Sequence, residues 1–253
     1  MKSVSILLVF ILIIGGSCSK KEVAVKSMEG LEPPQLLEKG NESYAQGNMD
    51  DAIKAYEVIY NRYPTSREYI SAVLGMARAY NNMGEFERGF SLLHNLIREN
   101  MVPSRVPEIY NEMARYYEVT AAYSKEAGIS REGEDFQKAI EYYKKAVDYP
   151  NSDDAEAKSY AQFQVGELEM KLANFDQAAL AYQSTMYRFS GTEWAQLAEQ
   201  RIDQMRQEGK TTITPLKKTD SSQSSPKPDS MEEEIPGEVE SINKPDKKTD
   251  EPE

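Results

Sequence analysis

Few side chains in this sequence have both the type and the company to do chemistry. The 253 residues contain one Cys (Cys18) and one His (His94), so there is no intrachain disulfide, no cysteine-rich zinc site and no histidine pair for a metal or a triad. His94, within SLLHNLIRE, reads as a residue on or beside a helix packing face. The acidic run Glu132-Gly133-Glu134-Asp135 lacks the spacing of a calcium loop and reads as a helix start, where carboxylates favour the N-terminal dipole. Neither a glycine-rich phosphate loop nor a Gly-x-Ser-x-Gly elbow is present. Lys+Arg 30 against Asp+Glu 42 gives a formal net charge of -12, which argues against nucleic acid as a partner. We therefore expect no catalytic residue, no cofactor, no metal ligand and no enzymatic activity.

Cys18 has a chemistry that needs no partner side chain: acylation. It follows MKSVSILLVFILIIGGS, in which Lys2 begins a positive region, Val4 to Ile14 form an apolar run, and Gly15, Gly16 and Ser17 are small. That is the grammar of an export signal. The run of about 11 residues is well short of the ~20 that a spanning helix needs. The arrangement resembles the lipobox of bacterial lipoproteins, although Gly15 stands where an aliphatic residue is usual. The resemblance implies cleavage after residue 17 and lipidation of Cys18. The alternatives are a plain secretory signal with a leftover thiol, or an uncleaved anchor.

The expected organisation is a signal peptide over 1–17, a polar tether over 18–33, a packed domain over 34–208 and an acidic tail over 209–253. The tail holds seven basic and eleven acidic residues and has no Trp, Tyr or Phe, so it cannot bury enough apolar surface to offset its ordering entropy. In the packed stretch, apolar residues recur at steps of three and four: Ala52, Ile53, Tyr56, Ile59 and Tyr60, then Ala139, Ile140, Tyr143 and Val147. Thr65 to Glu68 and Ser190 to Glu193 read as capping boxes, and Pro64 and Pro150 as helix stops. The fold class is all-α.

The chain also repeats. Small residues Gly40, Ala77 and Ala114 are 37 residues apart, and Gly166 follows after 52. Each sits in a first helix. A second helix then pairs a small residue with a bulky one four places on: Ala52 with Tyr56, Gly89 with Leu93, Ala139 with Tyr143, Ala178 with Tyr182. The longer third interval places an insertion of about 13 residues near 120–133. The stripe Trp194, Leu197, Ala198, Ile202 and Met205 predicts a closing helix over 193–208. The tyrosine pairs Tyr116-Tyr117 and Tyr142-Tyr143 read as packing residues more readily than as a recognition box.

With KGNESYAQGNMDDAIKAYEVIYNRYP as its clearest unit, this pattern resembles tetratricopeptide (TPR) repeats. The resemblance implies a right-handed superhelical solenoid of about four helical hairpins plus a capping helix, with a peptide-binding groove along the first helices. Carried onto this sequence, the groove positions are Asn41, Tyr44, Arg78, Asn81, Asn82, Asn111, Arg115, Phe163 and Glu167. Arg78 and Arg115 hold equivalent places, each beside an Asn, and such donors suit a carboxylate or an extended backbone. The alternative is that both pair with neighbouring Glu on a solvated face. Anchor and array together resemble outer-membrane β-barrel assembly lipoproteins of the BamD type, and also the TPR region of periplasmic cell-division coordinators. The resemblance implies a scaffold for proteins or peptides, held by its lipid on the periplasmic side of the outer membrane. The other reading is an accessory subunit that delivers ligands or peptides to a transport or signalling system.

Overall fold

The computed structural model describes residues 28, 30–99, 102–129 and 131–213. The expected signal peptide, Cys18, nearly all of the tether and nearly all of the tail lie outside the described residues. Among the described residues there are nine α-helices and no strand: α1 Pro33–Ala45, α2 Met49–Arg62, α3 Tyr69–Asn82, α4 Phe86–Glu99, α5 Val106–Glu126, α6 Glu132–Asp148, α7 Ala155–Lys171, α8 Phe175–Arg188 and α9 Glu193–Gln207. None of them is long and apolar enough to cross a membrane. The all-α, TPR-like reading stands. Four hairpins follow one another and α9 closes the series.

The small residues act as the repeat pattern requires. Gly40 and Gly75 clasp the Tyr56 ring from two first helices; a Cβ on Gly75 would lie 2.6 Å from the ring. Gly166 receives the Tyr182 ring in the same way. Ala52, Ala139 and Ala178 are fully buried, as are Leu93, Tyr143 and Tyr182. Backbones approach closely where a side chain is missing, and the bulky partner fills the gap to the next hairpin.

The backbones of the first helices approach one another in series (α1 with α3, α3 with α5, α5 with α7, α7 with α9), whereas the second helices stand further apart and meet through long side chains, as Phe90 of α4 meets Tyr142 of α6 and Arg188 of α8 reaches Asp148 of α6. The first helices therefore line the tight, inner side of the array and the second helices fan out on the outer side. The hairpin turns reuse one backbone conformation. Gly47 and Gly84 take φ of 78° and 77°, and the equivalent residue of the fourth hairpin, Ala173, takes φ of 58° without being a glycine.

The insertion near 120–133 lengthens both helices of the third hairpin, to 21 residues in α5 and 17 in α6. Lys125 Nζ and Glu132 Oε1, 3.1 Å apart, link the ends of the two helices. Aromatic rings add to the packing of small residues at the third hairpin, both against α4 and within the hairpin itself. Phe90 lies 4.8 Å from Tyr116, and Tyr117 stacks on Tyr142 at 5.6 Å. The tyrosine pairs are thus packing residues, with Tyr143 fully buried and the others half-buried.

Two local expectations need correction. Helix α3 begins at Tyr69 after a turn, and neither Thr65 nor Glu68 caps it through a side chain. Helix α9 is capped by Thr192, whose hydroxyl accepts from Ala195 N at 3.3 Å, so the Ser190 box is displaced by two residues. Packing also runs past both ends of 34–208: Met28 is buried with the first hairpin, and Ile213 packs with α9.

Candidate protein-docking face

A cross-link between each first helix and the next organises the inner side. Asn82 Nδ2 of α3 donates to the Tyr44 hydroxyl of α1 at 2.8 Å. Arg78 of α3 donates to Glu112 of α5 at 2.5 Å. Lys171 of α7 reaches Glu118 of α5 at 3.4 Å, and Arg201 of α9 donates to Glu167 of α7 at 2.7 and 3.2 Å. The partners are separated by 38, 34, 53 and 34 residues, close to one repeat in each case.

The buried tyrosines of the second helices feed the same rows. Tyr56 donates to Asn41 at 2.8 Å, Tyr143 to Glu118 at 2.6 Å and Tyr182 to Glu167 at 2.7 Å. Burial pushes the Tyr56 phenol up to about 12, and burial with the nearby carboxylates raises Tyr143 and Tyr182. All three remain hydroxyl donors through the neutral range. Each then holds its acceptor from below while a neighbouring repeat's cation holds Glu118 and Glu167 from the side.

The expected groove residues divide on this frame. Tyr44, Asn82 and Glu167 are links of the ladder, and Asn41 accepts from Tyr56 within its own hairpin. Arg78 and Arg115 converge on one carboxylate, since Arg115 Nη1 lies 3.7 Å from the same Glu112 oxygen that Arg78 binds. Glu112 is only 5% exposed. The reading in which the arginines pair with a neighbouring Glu is therefore correct for Arg78. Arg115 makes the longer contact and its side chain is 51% exposed, so it still presents donors to solvent. Two guanidinium groups against one carboxylate leave a local excess of one positive charge in a chain of net charge -12.

Asn81, Asn111 and Phe163 are corrections. All three are buried. Asn81 fills the space left by Gly89, where a Cβ would lie 2.6 Å from its Oδ1. Asn111 donates to the Ala157 carbonyl at 2.8 Å and joins α5 to the start of α7. Phe163 packs between Tyr182 and Trp194. Position along the first helix alone does not separate a groove residue from one wedged against the next hairpin.

Glu112, Glu118, Lys171 and Arg201 were missed by sequence reasoning. Their signal was opposite charge recurring about one repeat apart. His94 is exposed on α4. Among the described residues, no three His, Cys, Asp or Glu side chains gather as a metal site.

Residues 30–206 match the model of the YfiO family, described as outer membrane lipoprotein. Among solved structures, the crystal structure of MamA protein is similar at 14% identity, over 72% of this chain and 96% of that chain, with a TM-score of 0.37. No curated protein matches the chain.

Proposed function

Since the chain belongs to the YfiO family of outer membrane lipoproteins, we propose that it is a non-catalytic docking scaffold of the bacterial cell envelope, serving the assembly of outer-membrane proteins. In this reading Cys18 carries the lipid and the array lies on the periplasmic side of the outer membrane. Several acyl chains, each contributing ~0.8 kcal/mol per buried CH₂, hold such a protein on the bilayer without a spanning helix.

The observation that supports docking is the state of the inner side. Its charged groups are tied to one another across successive repeats, which holds the surface in shape before a partner arrives, and Arg115 is left half-exposed with an excess positive charge beside it. A preformed surface loses little entropy on binding. The exposed guanidinium supplies the charge-assisted donors that an extended segment or a carboxylate accepts. Asn41, Tyr44 and Asn82 add neutral polar groups along the same side. The described partner is thus a protein or peptide segment laid along the first helices.

The test is crosslinking from membranes with a photoreactive residue in place of Asn41 or Asn82, in the native chain and in Arg115→Glu. Envelope proteins should be captured by the native chain and lost with Arg115→Glu, while circular dichroism shows the helix content of the native chain retained. Equal capture by both would overturn the inner-face reading. Cys18→Ala tests the anchor: it should leave an unprocessed, unacylated precursor, and a mature acylated product from that variant would refute the assignment.

A further inference from the structure

Because the second helices fan apart, the outer side of the array carries troughs floored by a first helix. The trough between α2 and α4 contains an open cleft of about 630 Å³. Met76 and Tyr80 of α3 floor it, Glu57 and Tyr60 of α2 form one wall, and Glu87 and Leu92 of α4 form the other. The guanidinium of Arg88 sits 4.3 Å from the centroid of the Tyr80 ring.

The next trough, between α4 and α6, offers an internal comparison at equivalent positions. Tyr117 stands three residues after Ala114 as Tyr80 stands three after Ala77. Lys138 immediately precedes Ala139 as Arg88 precedes Gly89. A cation again lies over the floor ring, with Lys138 Nζ 6.0 Å from the Tyr117 centroid. The difference is at the wall. Tyr142, immediately before Tyr143, stacks on Tyr117 with centroids 5.6 Å apart and planes at 16°, and Phe90 meets its edge at 6.2 Å. The equivalent residue in the first trough, immediately before Leu93, is Leu92. A branched aliphatic side chain leaves open the place that an aromatic ring fills one repeat later.

We propose that this outer cleft is a second docking site, which takes an aromatic side chain of a partner protein in the place its neighbour fills with its own Tyr142. The rim narrows the chemistry further. Glu57 and Glu87 face the cleft without an ion-pair partner among the described residues, so the aromatic residue is flanked by a basic one. Ring-on-ring contact supplies the apolar part of the binding, while Arg88, which lies on the Tyr80 ring and is paired with Glu85 at 2.6 Å, leaves the charge of Glu57 and Glu87 uncompensated. The site lies on the opposite side from the ladder and does not depend on the inner-face reading.

The probe is N-acetyltyrosine amide, added to the full chain reconstituted in phospholipid nanodiscs and labelled with ¹³C at the methionine methyls. The Met76 methyl should shift saturably, and N-acetylleucine amide should move it far less. Leu92→Tyr closes the cleft from within and should abolish the shift while leaving the other methionine resonances and the inner-face crosslinks in place. Leu92→Phe, a smaller step, serves if the tyrosine variant does not fold. A lysyl-tyrosine amide should bind about fivefold more tightly than a glutamyl-tyrosine amide, and Glu57→Gln with Glu87→Gln should remove that preference. No Met76 shift in the native chain, an equal shift in the filled variant, or a uniform shift of every methionine would each overturn the proposal.

Discussion

Gly166→Ala isolates the close approach on which the repeat depends. In an unhindered helix the change stabilises, because Ala exceeds Gly in helix propensity by about 1 kcal/mol. At position 166 the added Cβ would lie 2.7 Å from Tyr182 Cδ1 and 2.9 Å from Cζ, and nearer still to Cε1. Carbon atoms in contact prefer 3.5–4.0 Å, so the overlap approaches 1 Å on three ring atoms at once. The ring has no simple retreat. Tyr182 is fully buried, its hydroxyl is held by Glu167, and Glu167 is held by Arg201. Overpacking of this kind costs about 1–3 kcal/mol, and engagement of the whole ring puts this case at the upper end. Net of the propensity gain, Gly166→Ala should destabilise by about 2 kcal/mol, which lowers Tm by about 4–8 °C in a domain of this size. Thermal and urea unfolding followed by circular dichroism measure it. Gly133→Ala is the control: in the first turn of α6, its nearest neighbour is Leu172 Cδ2 at 4.0 Å, so it should gain about 0.5 kcal/mol. Combining Gly166→Ala with Tyr182→Leu should cost less than the sum of the two single changes. A Gly166→Ala variant as stable as the native chain would refute the close-approach argument.

Three further outcomes are expected. Ala173→Gly should stabilise by about 0.5–1 kcal/mol, since Ala173 is held at φ 58° where its counterparts are Gly47 and Gly84; denaturant midpoints decide this, and a loss of stability contradicts it. Glu112→Gln should destabilise by about 2 kcal/mol, because it leaves Arg78 and Arg115 without their shared carboxylate, and the loss should shrink when Arg115→Gln is added; an unchanged melting curve argues against the shared pair. Stability should fall as pH rises from 10 towards 12. Burial raises the folded-state values of Tyr56 and Tyr69 to about 12 from 10.0, so their contribution is complete below the unfolded value and is lost as pH climbs through the folded one. Tyrosinate absorbance should therefore appear together with the loss of helix; ionisation of these tyrosines in a fully helical chain contradicts the assignment.

How much of the molecule was legible follows from what each residue's position depends on. Hairpin packing reads directly from sequence because small and bulky residues recur at fixed spacing, and Gly40, Ala52 and Tyr56 occupy the places that spacing gives them. The resemblance to BamD-type outer-membrane lipoproteins is likewise borne out by the family to which residues 30–206 belong. The inner side was harder. Asn111 and Arg115 are one helical turn apart on α5, yet one is buried against α7 and the other is half-exposed. What separates them is the orientation of the next hairpin, which the period of a single helix does not encode. The insertion resisted reading for a related reason. The stop lies at Gly128, which takes φ of 70° just past the end of α5 at Glu126, but the repeat spacing gave no place for it because the insertion falls there.

The ladder and the cleft use their charges differently. On the inner side Glu112, Glu118 and Glu167 each have a cation about one repeat away, and each of these links crosses a junction between hairpins. Such links add little stability where they are exposed, but they fix the angle between adjacent repeats, since Glu167 can meet Arg201 and Tyr182 together only at one setting of α9 against α7. Arg115 is the exception, because Glu112 is already held at 2.5 Å by Arg78. On the outer side Glu57 and Glu87 are not committed to any such link, and they flank the trough that Leu92 leaves open. A surface whose charges are spent on one another holds a shape, whereas a charge left over is available to a partner. By that criterion Arg115 and the Glu57–Glu87 pair each leave charge for a partner, Arg115 for an anion and the two glutamates for a cation. A double variant, Arg115→Gln with Leu92→Tyr, should therefore lose capture on both sides while keeping its helicity. If each single change removed both the inner-face crosslinks and the Met76 shift, the two sides would be one site, and the separation argued from their charges would be wrong.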